Sequence, residues 1–319
     1  MKVLSTHPLP DDLCLSIPAL RVVVARDEPS QLAEIGDAEV LIGGFGGEDG
    51  GRFSRLMAAA RKLVWIHTSS AGVDALLGDP LRQSGATLTC AKGPVVGSLL
   101  AEHAFALLLG LTRGVCWSAR QNRWDRPGYG GRTAFELAGK TLGLVGYGGT
   151  GRALAERAAA FGMSVRAVNR SGLGQPVPPT LSLWGLDRLD DLLAASDIVI
   201  SSIPGTAASR GLFDADRFAA MRRGAYFINV GRGETVVTEG LVGALESGHL
   251  GGAGLDVLDP EPFPSESPLW RMDNVVISPH IAGNSPERGA RNLDLIRENL
   301  LRLSRGEALA NQVDLDAGY

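Results

Sequence analysis

Short apolar runs alternate with helical patterns along the first hundred residues. The runs are bounded by Gly, Asp or Pro, and they lie at Val22–Ala25, Val40–Ile42, Leu63–Ile66 and Thr87–Cys90. Uninterrupted apolar runs of this kind are typical of strands that are buried on both faces of a parallel sheet. Helical patterns at Gln31–Ile35 and Phe53–Ala60 separate the runs. The alternation predicts an α/β fold with a parallel sheet.

The apolar pattern changes at Ser98–Val115, where apolar residues lie on all sides of a helical projection. A helix that is apolar all round is buried. We therefore expect one long helix that either joins two domains or lies in a subunit interface. The segment that follows, Cys116–Gly131, is polar and glycine-rich around Trp117 and Trp124, and it is expected to form a loop.

A second alternation of strand-like and helical patterns starts at Leu142. It contains six strand-like runs, as a doubly wound dinucleotide-binding fold requires. They are Leu142–Val145, Val165–Val168, Ile198–Ser201, Ala225–Asn229, Ala253–Val257 and Val275–Ser278. The Pro- and Gly-rich stretch Ser171–Thr180 is expected to be a surface connection. An amphipathic helix is predicted from Pro286 to about Ser304.

Composition and charge narrow the class of protein. The chain has 319 residues, which favours two domains at roughly 150 residues per domain. A net charge of −4 gives no electrostatic footprint for nucleic acid or an anionic membrane, so neither is expected as a partner. The three cysteines lack the spacing of a metal site. The apolar stretch Leu99–Leu111 is too short to span a bilayer, and no signal peptide is expected. We therefore expect a cytoplasmic protein without a bound metal.

A glycine motif follows the first strand of the second series and precedes a helical pattern. The residues from Gly146 to Gly151 read Gly-Tyr-Gly-Gly-Thr-Gly, which matches the dinucleotide-binding pattern. Gly146 permits a tight turn, and Gly148 lets the backbone approach a pyrophosphate. Gly151 lets the helix pack close to the strand, while the helix start at Gly149 and Thr150 attracts phosphate. The motif in this context predicts a dinucleotide site.

The residues after the next strand bear on which dinucleotide is bound. A site specific for NAD usually has Asp or Glu there, which accepts a hydrogen bond from the ribose. This chain has Asn169 and Arg170. No carboxylate repels a 2′-phosphate, and a guanidinium is available to pair with it. We expect NADP(H) to be preferred over NAD(H), although a purely solvated Arg170 would leave the protein tolerant of both.

Polar residues follow the late strands of the second series. Arg232 lies between two glycines after one strand, Asp256 and Glu261 follow the next, and His280 follows the last. Ligands of open α/β sheets bind beyond the carboxyl ends of the strands. We therefore expect these four side chains to lie at one edge of the sheet, beside the dinucleotide.

These residue types suit the reduction of a 2-keto acid by hydride transfer. The planar fork of Arg232 can engage a carboxylate and polarise the adjacent carbonyl. His280 can give a proton to the developing alkoxide at cellular pH. Glu261 would accept a hydrogen bond from the other imidazole nitrogen, which fixes the tautomer and favours the charged ring.

Four segments, in this order and spacing, resemble those of the D-isomer-specific 2-hydroxyacid dehydrogenase family, which includes glyoxylate/hydroxypyruvate reductases and phosphoglycerate dehydrogenases. They are Gly143–Gly151, Asn229–Gly233, Ala253–Pro262 and Ser278–Gly283. The resemblance covers nearly the whole chain. It implies an NAD(P)-dependent enzyme that reduces a small 2-keto acid of the glyoxylate or hydroxypyruvate type to the D-2-hydroxy acid, with Arg232, Glu261 and His280 as its catalytic triad.

The resemblance also implies contacts with the cofactor. Ile203 and Pro204 would line the adenine side, Val230 would lie in the same cofactor-binding region, and Asp256 would contact the nicotinamide carboxamide. The main departure from many relatives is Asn169, where they carry Asp; this resembles the branch of reductases that use NADPH.

The segment Ser69–Asp74 resembles the substrate loop of the family. The resemblance implies that backbone N–H groups at Ser70, Ala71 and Gly72 hold the substrate carboxylate together with Arg232.

The fold implied by the resemblance is a split one. A flavodoxin-like substrate domain would take residues 1–98 plus 286–319, and a Rossmann domain that binds NAD(P) would be inserted as residues 99–285. The helix that contains Ala101–His103 resembles one that builds a homodimer interface. A homodimer is therefore expected, with His103 in a structural rather than a catalytic role.

Other functions stay open at this point. Phosphite dehydrogenases retain the same three residues, whereas formate dehydrogenases usually pair their histidine with Gln, so Glu261 speaks against formate. Corepressors that sense dinucleotides share the motifs, but this chain lacks a charged or Pro-rich extension for docking partners. The loop Gly43–Gly47 is expected to line the substrate pocket with Phe45, joined by Trp124 or Trp270, and its lack of charge argues against a phosphorylated substrate.

Overall fold

The structure is a computed structural model, and it describes residues 1–10, 13, 17, 19–45, 50–121, 123–126, 128–129, 134–172 and 181–319. The chain forms two compact units. The first unit comprises Met1–Val96 and Ser285–Tyr319, and the second comprises Gly97–Asn284. In the sequence, the second unit is thus inserted between the two segments of the first.

The first unit is built on a five-stranded parallel sheet. Its strands are β1 (Lys2–Ser5), β2 (Arg21–Val24), β3 (Val40–Gly43), β4 (Trp65–Thr68) and β5 (Thr87–Cys90). Their spatial order, β2-β1-β3-β4-β5, is the flavodoxin-like order. The helices along this part of the chain are α1 (Glu28–Ile35), α2 (Gly50–Ala59) and α3 (Asp79–Ser84).

The second unit is a seven-stranded parallel sheet with helices between the strands. Its strands are β6 (Thr141–Val145), β7 (Ser164–Asn169), β8 (Leu181–Gly185), β9 (Ile198–Ser201), β10 (Tyr226–Asn229), β11 (Gly252–Leu255) and β12 (Val275–Ile277). The order β12-β11-β10-β9-β6-β7-β8 is the doubly wound dinucleotide-binding order with one strand added. The predicted α/β class, with Rossmann and flavodoxin-like sheets, is confirmed.

The helices of the second unit precede and separate these strands. They are α4 (Gly97–Thr112), α5 (Val115–Gln121), α6 (Gly149–Ala160), α7 (Leu189–Ala195), α8 (Ala215–Ala220) and α9 (Thr238–Glu246). The last helix of the chain, α10 (Pro286–Ser304), belongs to the first unit and confirms the predicted bounds.

Several sequence-based element predictions were wrong in detail. Strands β1 and β8 were not predicted, and β4 lies two residues later than the run Leu63–Ile66. The expected helix Ser98–Val115 forms as α4 but ends at Thr112, and α5 follows at an angle of 66°, with Gly114 between them at a φ of +68°. Such a φ favours glycine and ends the helix. Because α5 extends to Gln121, part of the expected loop is helical.

Among the residues that the structure describes, no single helix is long and apolar enough to span a membrane, although α4 and α5 reach that length and composition when taken together.

A chain of buried hydrogen bonds crosses the first unit beneath the end of β4. The Trp65 indole N–H donates to Thr89 Oγ1 (2.8 Å), which lies 2.8 Å from His67 Nδ1. His67 Nε2 lies 2.9 Å from Asn292 Oδ1, and the Asn292 amide donates to Ser69 Oγ (3.2 Å). An amide oxygen only accepts. His67 Nε2 therefore carries the proton, and Nδ1 accepts from the Thr89 hydroxyl.

The environment of His67 keeps its ring neutral. Burial lowers the pKa of His67 from 6.5 to about 4, against a smaller opposing effect of the hydrogen bond to Asn292. The unfolded chain therefore binds a proton more readily than the folded protein between about pH 6.5 and pH 4. The stability associated with this group is complete above pH 6.5 and falls as the pH is lowered through that window.

We predict that this titration is visible in the stability of the protein. From pH 7 to pH 4 the free energy of unfolding of the wild type should fall by about 3 kcal/mol more than that of the His67→Gln variant. Urea denaturation followed by tryptophan fluorescence at both pH values measures the difference. An equal fall in the two proteins would contradict the assignment of a neutral buried ring.

Candidate active site

The glycine motif forms a tight turn between β6 and α6. Gly146 has a φ of +101°, and its N–H donates to Val168 O at 2.9 Å. A Cβ at Gly151 would lie only 2.4 Å from Gly146 O, so the helix packs against the strand end where a side chain cannot fit. A Cβ on Gly97, the first residue of α4, would likewise lie 2.9 Å from the Gly149 backbone.

Gly148 differs from the other glycines of the turn. It is exposed, and apart from its own chain neighbours no atom of the described residues lies within 4 Å of the place where its Cβ would be. It caps α6, so that Gly149, Thr150 and Gly151 are the first three helical residues. The N–H groups of a first helical turn have no acceptor within the helix and carry partial positive charge. The turn thus presents three backbone donors beside open space, which fits a pyrophosphate.

Asn169 ends β7 and shapes the turn that follows. Its Oδ1 accepts hydrogen bonds from the N–H groups of Ser171 (3.2 Å) and Gly172 (2.7 Å). Arg170 is exposed at this turn. Of the predicted surface connection, residues 173–180 lie outside the described residues. The Asn169 side chain is therefore used as a backbone acceptor, which leaves Arg170 as the charged group of the turn.

Ile203 lies between the glycine turn and the loop that carries Arg232. A Cβ on Gly146 would lie 3.0 Å from Ile203 Cγ2, and a Cβ on Gly231 would lie 2.6 Å from Ile203 O. Pro204 accepts a hydrogen bond from the Ser209 hydroxyl at 2.7 Å.

Two glycines hold the Arg232 loop against its neighbours. Gly231 packs on Ile203, and a Cβ at Gly233 would lie 2.0 Å from the carbonyl of Leu258. Val230 is buried, and Arg232 is half-buried with Nη1 donating to Gly231 O at 2.8 Å. The sequence Gly-Arg-Gly is therefore required because backbone contacts on both sides leave no room for other residues.

Glu261 and His280 form a hydrogen-bonded pair next to this loop. His280 Nδ1 lies 2.7 Å from Glu261 Oε2, and Glu261 Oε1 accepts from the Leu258 N–H at 3.1 Å. The Leu258 backbone in turn contacts Gly233, so the Glu261–His280 pair lies beside the backbone of the Arg232 loop. The side chains of His280 and Glu261 are 50% and 39% exposed. Because Nδ1 of His280 is bound to Glu261, Nε2 is the ring nitrogen that can interact with a substrate.

The backbone of His280 is unusual. Its φ is +52°, a conformation that residues other than glycine rarely adopt. The His280 N–H donates to Asp256 O at 2.8 Å and to Ser278 O at 3.0 Å. Strained residues of this kind persist only where the surrounding structure fixes them, and they cluster at functional sites.

The side chain of Asp256 supplies that fixation. It is 2% exposed, and its Oδ1 accepts from the Ser278 hydroxyl (2.6 Å) and the Ile281 N–H (3.0 Å), while Oδ2 accepts from the Ala282 N–H (2.9 Å). His103 Nε2 lies 3.1 Å from Oδ1. Burial raises the pKa of Asp256, but the hydrogen bonds from these side chains and N–H groups outweigh it, so the pKa lies below its ordinary value.

The substrate loop predicted from the resemblance lies in the first unit, after β4. The Ser69 N–H donates to Gly43 O at 2.8 Å, and the Ser69 carbonyl accepts from the Arg288 guanidinium. Ser70 O accepts from the Ala91 N–H at 3.1 Å. Within the described part of the chain, the N–H groups of Ala71 and Gly72 donate to no protein acceptor.

The aromatic residues expected at the substrate pocket differ widely in exposure. Phe45 is fully buried in the core of the first unit and packs on Phe53 at 5.6 Å, so its ring is not available to a substrate. Trp124 is 95% exposed, and Trp270 packs on Phe263 at 6.1 Å. Gly46 and Gly47 lie outside the described residues. A metal-binding group of three or more His, Cys, Asp or Glu is absent from the described residues.

Comparison with known proteins connects this geometry to a family. Residues 105–282 match the model described as "D-isomer specific 2-hydroxyacid dehydrogenase, NAD binding domain". The glyoxylate reductase of Thermofilum pendens is 36% identical over 268 residues, which cover 81% of this chain and 78% of that protein. The D-3-phosphoglycerate dehydrogenase of Mycobacterium leprae is 33% identical over 270 residues, 83% of this chain but only 49% of that longer protein.

Among solved structures, the NADPH-dependent glyoxylate/hydroxypyruvate reductase of Sinorhizobium meliloti in complex with NADP and sulfate is similar over the full length. It superposes with a TM-score of 0.80 at 26% identity, and the match covers 100% of this chain and 99% of that one.

Two glycine substitutions should separate binding from folding at the turn. Gly148→Ala places a methyl group in open space, so the thermal stability should stay close to that of the wild type while NADPH binds about tenfold more weakly or worse. Gly151→Ala forces a methyl group against Gly146 O, so it should lower the melting temperature as well. Calorimetry and fluorescence titration with NADPH measure both effects. Tight NADPH binding by the Gly148→Ala variant would exclude this turn as the phosphate site.

Proposed function

Because the chain belongs to the D-isomer specific 2-hydroxyacid dehydrogenase family, we propose that it reduces a small 2-keto acid of the glyoxylate or hydroxypyruvate type to the D-2-hydroxy acid, with NADPH as the preferred reductant. The observation that carries the proposal is the His280–Glu261 pair beside the Arg232 loop. The similarity to glyoxylate reductases supports this substrate class, although the phosphoglycerate dehydrogenase is also similar.

The residues present fit a nicotinamide dinucleotide. The N–H groups of Gly149, Thr150 and Gly151 would hold the pyrophosphate, with Gly148 leaving the space that it needs. Ile203, Pro204, Val230 and Asp256 remain proposed contacts with the rest of the cofactor. When bound, the reduced nicotinamide supplies the hydride.

The side chains of the site would bind the substrate carboxylate and transfer the proton. The guanidinium of Arg232 pairs with the substrate carboxylate and polarises the adjacent carbonyl. His280, held through Nδ1 by Glu261, gives the proton on Nε2 to the carbonyl oxygen as negative charge develops there. Glu261 keeps the ring in one orientation through its hydrogen bond with Nδ1.

The substrate loop offers further donors for the carboxylate. We assign this role to the N–H groups of Ala71 and Gly72, for which the described residues provide no acceptor, and to that of Ser70, which lies 3.3 Å from Thr68 Oγ1. A homodimer in which α4 takes part stays a prediction of the resemblance, and a cytoplasmic location stays a prediction from composition.

The preference for NADPH rests on the turn after β7. The Asn169 carboxamide accepts two backbone hydrogen bonds, and it brings no negative charge to the position where a carboxylate would repel a 2′-phosphate. Arg170 adds a cation at the same turn. The NADPH dependence of the reductase from Sinorhizobium meliloti supports the same choice.

We predict that His280 carries the proton transfer. His280→Ala should lower kcat for glyoxylate and hydroxypyruvate by about 10²–10⁴-fold, the usual contribution of a general acid. NADPH binding should be unchanged, because the lost ring is hydrogen-bonded to Glu261 and the phosphates are assigned to the glycine turn. The rate of NADPH oxidation measures kcat, and fluorescence titration measures binding.

Two further variants serve as references for His280. Glu261→Gln should show a smaller loss, because one amide oxygen can still accept from His280 Nδ1. His249→Ala alters a histidine that is bonded to Met221 O outside the site, and it should turn over like the wild type. A His280→Ala variant with near-wild-type turnover would remove His280 from this role. If the enzyme turned over neither acid but oxidised phosphite, the proposed class of 2-keto acid substrates would be wrong.

We predict that charge at position 169 sets the cofactor preference. Asn169→Asp keeps the acceptor oxygen for Ser171 and Gly172 but adds a negative charge. It should therefore shift the ratio of kcat/KM values for NADPH and NADH toward NADH by about tenfold or more. Arg170→Ala should shift the ratio in the same direction without altering the turn. A wild-type enzyme that already prefers NADH tenfold would refute the assignment.

A further inference from the structure

His103 lies in a largely apolar part of α4, next to the exposed Glu102. Its neighbours Ala101, Ala104 and Leu107 are buried in the core of the second unit, whereas the His103 ring is 21% exposed and points to the end of the sheet. His103 Nε2 lies 2.7 Å from Ser278 Oγ and 3.1 Å from Asp256 Oδ1. The imidazole thus contacts the loop that carries His280, and not only the apolar core.

The direction of these hydrogen bonds is fixed by the donors available. The Ser278 hydroxyl has one proton, and it donates this proton to Asp256 Oδ1 at 2.6 Å. Ser278 Oγ is therefore an acceptor toward His103. It follows that His103 Nε2 carries a proton that Ser278 and Asp256 share, whatever the charge of the ring.

A single residue, Asp256, links the His103 N–H to the backbone of His280. Asp256 receives the His103 N–H and the Ser278 hydroxyl on Oδ1, while its main-chain carbonyl accepts from the His280 N–H. Its carboxylate also binds the N–H groups of Ile281 and Ala282, the two residues after His280. Loss of one strong donor would leave a buried charge short of partners, and the loop would shift to satisfy it.

We propose that His103 is a positioning residue for the reaction. Its Nε2–H fixes the Ser278 hydroxyl and the Asp256 carboxylate, and through them the left-handed backbone of His280. This inference rests on the proposed function, because it assigns His103 to the placement of the proposed general acid. It differs from the structural role at a subunit interface that the resemblance implies for this helix.

Two conservative variants separate the proposal from a packing role. The amide nitrogen of Gln reaches about as far as Nε2 of His, whereas that of Asn reaches only about as far as Nδ1. His103→Gln should therefore keep kcat close to the wild-type value. His103→Asn should lower kcat by roughly 10–10²-fold, the scale expected when a catalytic group is misplaced by about 1 Å. KM for the keto acid should change little in either variant.

A spectroscopic readout makes the test independent of the substrate. In protein labelled with ¹⁵N-histidine, the ring resonances of His280 report its bond to Glu261. They should stay in place in His103→Gln and shift or broaden in His103→Asn and Ser278→Ala. If the wild type turns over no keto acid, the proposed function fails, and these resonances still decide whether His103 positions His280.

The opposite results would overturn the proposal. Equal kcat values and equal His280 resonances in the Gln and Asn variants would show that the Nε2–H is not needed. A loss of kcat in His103→Asn that is matched by dissociation of an oligomer, seen by size-exclusion chromatography with unchanged His280 resonances, would assign His103 to subunit packing instead.

Discussion

The buried carboxylate of Asp256 is the constraint on which the proposed site depends. A carboxylate that is withdrawn from water must be fully hydrogen-bonded, and here the partners that satisfy it are the loop residues after β12 together with a histidine from α4. The same requirement that keeps the folded state intact therefore fixes the loop. His280 can hold a left-handed backbone conformation because the residues on both sides of it are bound to one rigid group.

Glycines, which have no side chain, fix the position of the backbone around the glycine turn and the Arg232 loop in a comparable way. The glycines at 146, 151, 231 and 233 each lie where a Cβ would come within about 3 Å of neighbouring atoms, so the ends of four strands approach more closely than other residues allow. Gly148 is glycine for a different reason, since it faces open space. The distinction between glycines that the fold needs and a glycine that is proposed to face a ligand is visible only in three dimensions.

The sequence predicted the parts of the fold that depend on local pattern. Buried parallel strands such as β9 and β10 are continuous apolar runs, and the glycine turn has its own signature. Strand β8 was not predicted from the sequence because it is a half-exposed edge strand without a continuous apolar run. The turn at Gly114, which ends α4 at Thr112 and starts α5, was not predicted because composition alone does not show a positive φ. Contacts between distant residues, such as His103 with Asp256, leave no periodic signal at all.

Both units place a fully bonded polar group beneath a loop with a proposed function. In the first unit, the neutral ring of His67 is the middle member of a chain of hydrogen bonds. The chain starts at the Trp65 indole and ends at Ser69, where the predicted substrate loop begins, and each group in it donates to the next. In the second unit, Asp256 is the corresponding group for His280. Apolar packing tolerates small shifts, whereas a chain of directional donors and acceptors has few satisfactory arrangements. Catalysis requires groups held to within a fraction of an ångström, so such networks belong at loops that must present backbone N–H groups or a proton donor accurately.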